Sequence, residues 1–155
     1  MLKIDFVKAT LSNIHEMRAL ILPEITAGII LDRTEDEIAT NIRSYTLAIN
    51  DCVIVGFTAL HVHTIELAEI RSLVVKYGMR GKKIGEELVQ HTFKEAKELG
   101  IQRVLSLTYK QSFFERLGFK EIPKESLPEH KIWADCIKCQ HFPVCNEVSL
   151  IKTIQ

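Results

Sequence analysis

A mixed α/β fold in a single domain is predicted by three features of this chain. Residues 45–75 hold three strand-like runs in succession, and an amphipathic stretch of helical period follows over residues 84–99. A further strand-like run comes directly after it, so the helix must cross over between two neighbouring parallel strands. With 155 residues, 46% of them hydrophobic and 26% charged, one domain can bury a sizeable core.

Lys3 to Ala9 alternates as a first strand, and Thr10 or Ser12 caps a helix through about Leu22, where Pro23 follows. "AGIIL" is loop or short strand. "RTEDEIATNIRSY" reads as a second helix, with Thr34 as cap and Glu37 three residues on in a capping box. "YTLAIND", "CVIVGFTALHVH" and "LAEIRSLVV" read as antiparallel strands, with turns supplied by Asn50-Asp51 and the polar segment around Thr64. In "IGEELVQHTFKEAKELG" the apolar residues from Ile84 to Leu99 form one stripe that ends at Gly100. "QRVLSLTY" is a strand, "KQSFFERLG" a short helix closed by Gly118, and "FKEI" the start of a last strand. No repeat or linker divides the chain, so residues 1–155 form one unit with a cysteine-rich tail at 133–155.

Lys plus Arg number 20 and Asp plus Glu also 20, so no global field favours nucleic acid or an anionic membrane. The N-terminus lacks the apolar core of a signal peptide, and no run approaches the roughly 18 apolar residues of a membrane span. A cytoplasmic protein is expected, acting on a small molecule. A homodimer is left open.

The junction "VVKYGMRGKKIGEEL" joins a strand to the start of the long helix. Free N–H groups and the helix dipole favour an anion there, and Arg80, Lys82 and Lys83 add charge. A diphosphate suits such a turn, although a basic turn before a helix is as often a solvated connection.

"AEIRSLVVKYGMRGKKIGEEL" resembles the acetyl-CoA binding motif of the GNAT acetyltransferases, Arg/Gln-x-x-Gly-x-Gly/Ala after a bulged strand. Arg80 and Gly85 match its ends, and Lys83 stands where the first glycine is usual. A β-carbon at 83 calls for a negative φ there. "FFERLGF" resembles the short helix and Leu-Gly-Phe ending of the same family, and the element order agrees from about residue 3 to 123. The resemblance implies that the backbone of Leu73, Val74 and Val75 pairs with the pantetheine arm, and that Arg80, Gly81, Lys82, Lys83, Ile84, Gly85 and Glu86 hold the diphosphate.

Acetyl transfer to an amine needs a base near the bulge. By the period of two, Glu69, Arg71 and Leu73 share one face of their strand. Glu69 lies eleven positions before Arg80, the spacing at which histone-type members of the family carry a general-base glutamate. Its bland alternative is a cross-strand ion pair, and His61 and His63 on the preceding strand are alternative bases. Phe114, counted with the cofactor-binding residues, occupies the position where many of these enzymes place a tyrosine acid. Tyr109 is the nearby candidate for that role.

"AGIILDRTEDEI", "FTALHV", "AEIRSLVV" and "LTYKQSFFERLGFKEIPKESLPEHK" together resemble the acetyltransferase domain of N-acetylglutamate synthases over roughly residues 3 to 133. That resemblance implies acetylation of L-glutamate, the opening step of arginine biosynthesis. A dicarboxylate calls for fixed cations, for which Arg33 and Arg71 are the candidates, with Lys110 behind them. Another small amine, a protein amino group, or a CoA- or metal-sensing module without turnover are the alternatives. Cys136, Cys139 and Cys145 in "WADCIKCQHFPVC" supply one Cys-x2-Cys half of a zinc knuckle, with His141, His130 or Cys52 as fourth ligand; reduced thiols packed in the tail are the competing reading.

Overall fold

The computed structural model describes residues 3–123, 126 and 147–154. Along them run strand β1 (Asp5–Lys8), helices α1 (Ile14–Thr26) and α2 (Glu35–Thr40), and strands β2 (Tyr45–Asn50), β3 (Val53–Val62) and β4 (Leu67–Val75). Helix α3 (Ile84–Leu99), strand β5 (Arg103–Thr108), helix α4 (Gln111–Arg116) and strands β6 (Lys120–Ile122) and β7 (Val148–Thr153) follow. The strands form one sheet in the order β1-β2-β3-β4-β5-β7-β6. Among the described strands only the β4–β5 pair, joined by α3, is parallel, as the crossover requires.

Helix α1 packs Ile14, Met17 and Ile21 on one face of the sheet, with Ile38 of α2 and Tyr45, Leu47, Phe57 and Val74 of the strands. On the other face, Val89 and Ala96 of α3 and Phe114 of α4 meet Leu60, Ala68, Ile70 and Leu150. Thr34 and Glu37 form the expected capping box, each side chain accepting the other's backbone N–H at 3.1 Å. Helix α2 is shorter than the pattern suggests, and a 3-10 turn occupies Ile42–Ser44.

Three differences from the sequence reading have tertiary causes. Helix α1 continues through Pro23 to Thr26, although proline forfeits a ladder bond, because its last turn sets Ile25 against the core. The β2–β3 hairpin turns on Asp51 and Cys52, both with positive φ, one residue later than expected and in the manner of a type I′ turn. Strand β7, within the supposed tail, inserts between β5 and β6, with Arg103 opposite Thr153 and Leu150 fully buried. Nothing local in "VSLIKT" announces a partner that lies some fifty residues earlier.

β4 and β5 pair only from Leu67↔Arg103 to Glu69↔Leu105, whereas β5 stays with β7 as far as Thr108 and β4 stays with β3 as far as Val75. The two parallel strands therefore diverge beyond Glu69 and open a cleft at their C-terminal ends. Gly56 lets this region close-pack: a Cβ there would lie 2.9 Å from the Val74 carbonyl oxygen and 3.3 Å from Leu88 Cδ1. Gly56→Ala is expected to destabilise the fold by about 1–3 kcal/mol, measured as a lower urea midpoint at unchanged slope.

Candidate active site

The basic turn begins where β4 ends. A 3-10 turn over Tyr77–Met79 leads to Arg80, and Gly81 and Lys83 both take left-handed backbone, with φ of 81° and 65°. The ladder of α3 begins with Glu87 N–H donating to the Lys83 carbonyl, so the N–H groups of Ile84, Gly85 and Glu86 precede it and suit an anion. Ile84 is buried and anchors the helix start. A Cβ on Gly85 would meet Val75 Cγ2 at 3.5 Å and Phe113 Cζ at 3.7 Å, ordinary contacts that leave the backbone closely seated.

The expected negative φ at Lys83 is thus corrected. The chain holds a lysine, at the N-cap of α3, in the conformation that glycine supplies at lower cost. Lys83→Gly is expected to stabilise the fold by about 1 kcal/mol, read as a rise in Tm. A lower Tm would count against a left-handed residue 83.

A bulge reshapes β4. Phe57 faces Val74 and Ala59 faces Arg71, so Ser72 and Leu73 oppose the single residue Thr58, and Ser72 takes a φ of 60°. Thr58 Oγ1 donates to the Arg71 carbonyl at 3.2 Å and pins the kink. The extra residue reverses the alternation: Leu73 turns to the α3 side with Ile70 and Val75, not to the side of Glu69 and Arg71 as a strict period of two predicts. A single positive-φ serine is invisible to periodicity.

Glu69 and Arg71 remain on the α1 side, where Arg71 meets His61 of β3 and Glu69 meets His63, the residue just past the end of β3. Glu69 Oε1 lies 2.9 Å from His63 Nε2, with both side chains 2% exposed. Arg71 Nη2 donates to His61 Nδ1 at 3.0 Å, and the two imidazoles pack edge to face at 4.8 Å. An acceptor Nδ1 places the His61 proton on Nε2, while the Glu69 carboxylate accepts from His63. The Glu69 carboxylate therefore pairs with the His63 side chain, although its partner in the strand ladder is His61, whose ring instead meets Arg71.

Tyr45, which the sequence reading passed over, stands in the same cross-strand row: it faces Ala59, which faces Arg71. Burial pushes its phenol above the usual range, against the opposing pull of Arg33 and Arg71 and a hydrogen bond with Ser72. Arg33, from the loop before α2, and Arg71 thus both act electrostatically on one phenol. The signal lay in the register of three strands, which sequence does not print.

Lys110 sits at the N-terminal boundary of α4, beyond the end of β5, the strand that parts from the one bearing Arg71. Tyr109 beside it is 40% exposed. Phe114 is buried in the α3-side core, edge to face with Phe113 and Phe119. Cys136, Cys139 and Cys145, with His130 and His141, lie outside the described residues; Cys52 is exposed on its hairpin. Among the described residues no group of three His, Cys, Asp or Glu side chains gathers as metal ligands, and no helix is long and apolar enough to cross a membrane.

Residues 41–121 match the family described as acetyltransferase (GNAT) domain. The chain belongs to the GNAT acetyltransferase family. Membership assigns the reaction class, N-acetyl transfer from acetyl-CoA, and agrees with the splayed strands and the basic turn. An uncharacterized N-acetyltransferase from Chlorobaculum tepidum is 39% identical over 82% of this chain and 81% of its own. The amino-acid acetyltransferase of Pasteurella multocida is 31% identical over 79% of this chain but 28% of its own length, so this GNAT domain spans less than a third of that relative. The N-acetylglutamate synthase of Neisseria gonorrhoeae, solved with coenzyme A and N-acetyl-glutamate, superposes with a TM-score of 0.89 at 23% identity, covering 100% of this chain and 36% of that one. The superposition shows a shared fold.

Proposed function

We propose that this GNAT domain acetylates the α-amino group of L-glutamate, in the cytoplasm and as the first step of arginine biosynthesis. The observation that carries the reading is Arg71 on β4, two residues from the buried Glu69, with its guanidinium on His61 and in one cross-strand row with Tyr45 of β2. The guanidinium groups of Arg33 and Arg71 match two carboxylates, and the Tyr45 phenol adds a donor.

Acetyl-CoA supplies the acyl group. The N–H groups at the start of α3, with Arg80 and Lys82, receive its diphosphate, and the β4 backbone at Leu73–Val75 borders the cleft where β5 has turned away. Glu69 accepts the amine proton through water, and the His63 N–H holds its carboxylate in place. A cysteine thiol has a pKa of roughly 8.5 in reference peptides, and the leaving thiol, also an alkyl thiol, departs as thiolate with little acid assistance. Tyr109→Phe is accordingly expected to lower kcat by less than about tenfold; a loss of several orders of magnitude would make Tyr109 the acid.

Incubation of the purified protein with acetyl-CoA and an equimolar mixture of amino acids, followed by mass spectrometry of the products, tests the substrate. Dominant N-acetylglutamate supports the reading. Another dominant product keeps the GNAT chemistry and discards glutamate.

A further inference from the structure

Arg80, the first residue of the basic turn, is already engaged on one edge of its guanidinium. Its Nε donates to the Val75 carbonyl at 3.2 Å, and its Nη2 meets Glu24 Oε1 of α1 at 2.6 Å. The Tyr77 ring lies under the same group, 5.2 Å from its carbon to the ring centroid. We propose that Glu24 is an internal competitor of the acetyl-CoA diphosphate for Arg80, so that α1 sets the affinity of this turn for its anion. The inference rests on the reading of the turn as the diphosphate site.

Three observations support competition over incidental pairing. Nε and Nη2 form the edge with which arginine grips an anion through two parallel hydrogen bonds, and Glu24 holds half of that edge. The Glu24 carboxylate is 17% exposed, against 42% for the Arg80 side chain, so the acid is held in place and the base is reachable. The Glu24 carbonyl also accepts from Ile29 N–H at 2.9 Å and Ile30 N–H at 3.3 Å, which roots the residue in the end of α1. A diphosphate that takes this edge must displace the Val75 carbonyl from Nε and the Glu24 carboxylate from Nη2, and only the displaced carboxylate carries a charge that repels it.

Titration calorimetry with coenzyme A, which binds without turnover, tests the proposal on wild type, Glu24→Gln, Arg80→Met and the double variant, each checked for its fold by circular dichroism. Arg80→Met is expected to weaken binding about tenfold, as loss of a charged hydrogen bond does. Glu24→Gln is expected to tighten it about two- to fivefold, the range of a partly exposed ion pair, and to change nothing once Arg80 is methionine. An equal gain in both backgrounds would reduce Glu24 to a distant charge, and weaker binding in Glu24→Gln would make it a support for Arg80; either overturns the competition. If Arg80→Met leaves coenzyme A affinity unchanged, the premise that the turn grips the diphosphate through Arg80 falls with it.

Discussion

Replacing Glu69 with glutamine is expected to lower kcat by about 10²- to 10⁴-fold, the span that a positioned general base contributes. Glutamine suits the test because its carbonyl oxygen still accepts the His63 N–H, so the buried pair that Glu69 forms at 2.9 Å keeps its shape. Coenzyme A affinity and the melting curve are therefore expected to stay near those of the parent protein. The rate of the variant should also rise with pH as more of the amine enters deprotonated. A fall of less than tenfold, with fold and coenzyme A binding intact, would move the base elsewhere, His63 being next in line.

Arg71→Met is expected to raise the KM for L-glutamate by two to three orders of magnitude while leaving the KM for acetyl-CoA nearly unchanged. Truncating one partner of a desolvated charge pair costs about 2–5 kcal/mol, which has this size. Lysine at the same position is expected to recover little, because it lacks the fork that serves a carboxylate on one edge and His61 Nδ1 on another. Steady-state kinetics with each substrate varied separately checks the split. An unchanged KM for glutamate would remove the dicarboxylate reading and leave the acetyltransferase chemistry standing.

Much of the setting of the candidate site was legible in the chain. Glu69 and Arg80 stand at a spacing that marks a strand and the turn after it, and Gly85 opens a long amphipathic helix that the structure reproduces from Ile84 to Leu99. Other parts were legible only in type. His61 and His63 were visible as two histidines on one face, yet which acid or base each would meet depended on the β3–β4 register. Tyr45 and Glu24 gave no signal, since each acts through a residue far away in sequence, Arg71 and Arg80 respectively.

By itself the sequence determined the local elements: the capping box at Thr34 and Glu37, the crossover helix, and a basic turn at its start. These follow from spacings of a few residues, over which side chains and backbone interact whatever the rest of the chain does. Only the tertiary structure decided that β7 enters the sheet beside β5, that α1 runs on through Pro23, that Ser72 bulges and turns Leu73 away, and that Lys83 adopts left-handed backbone. Each of these costs locally and is compensated by contacts between distant segments: the buried Leu150, the packing of Ile25, the Thr58 hydroxyl on the Arg71 carbonyl, and the start of α3 anchored by Ile84. The cleft itself belongs to that second class, because it exists only where β5 follows β7 and leaves β4 behind.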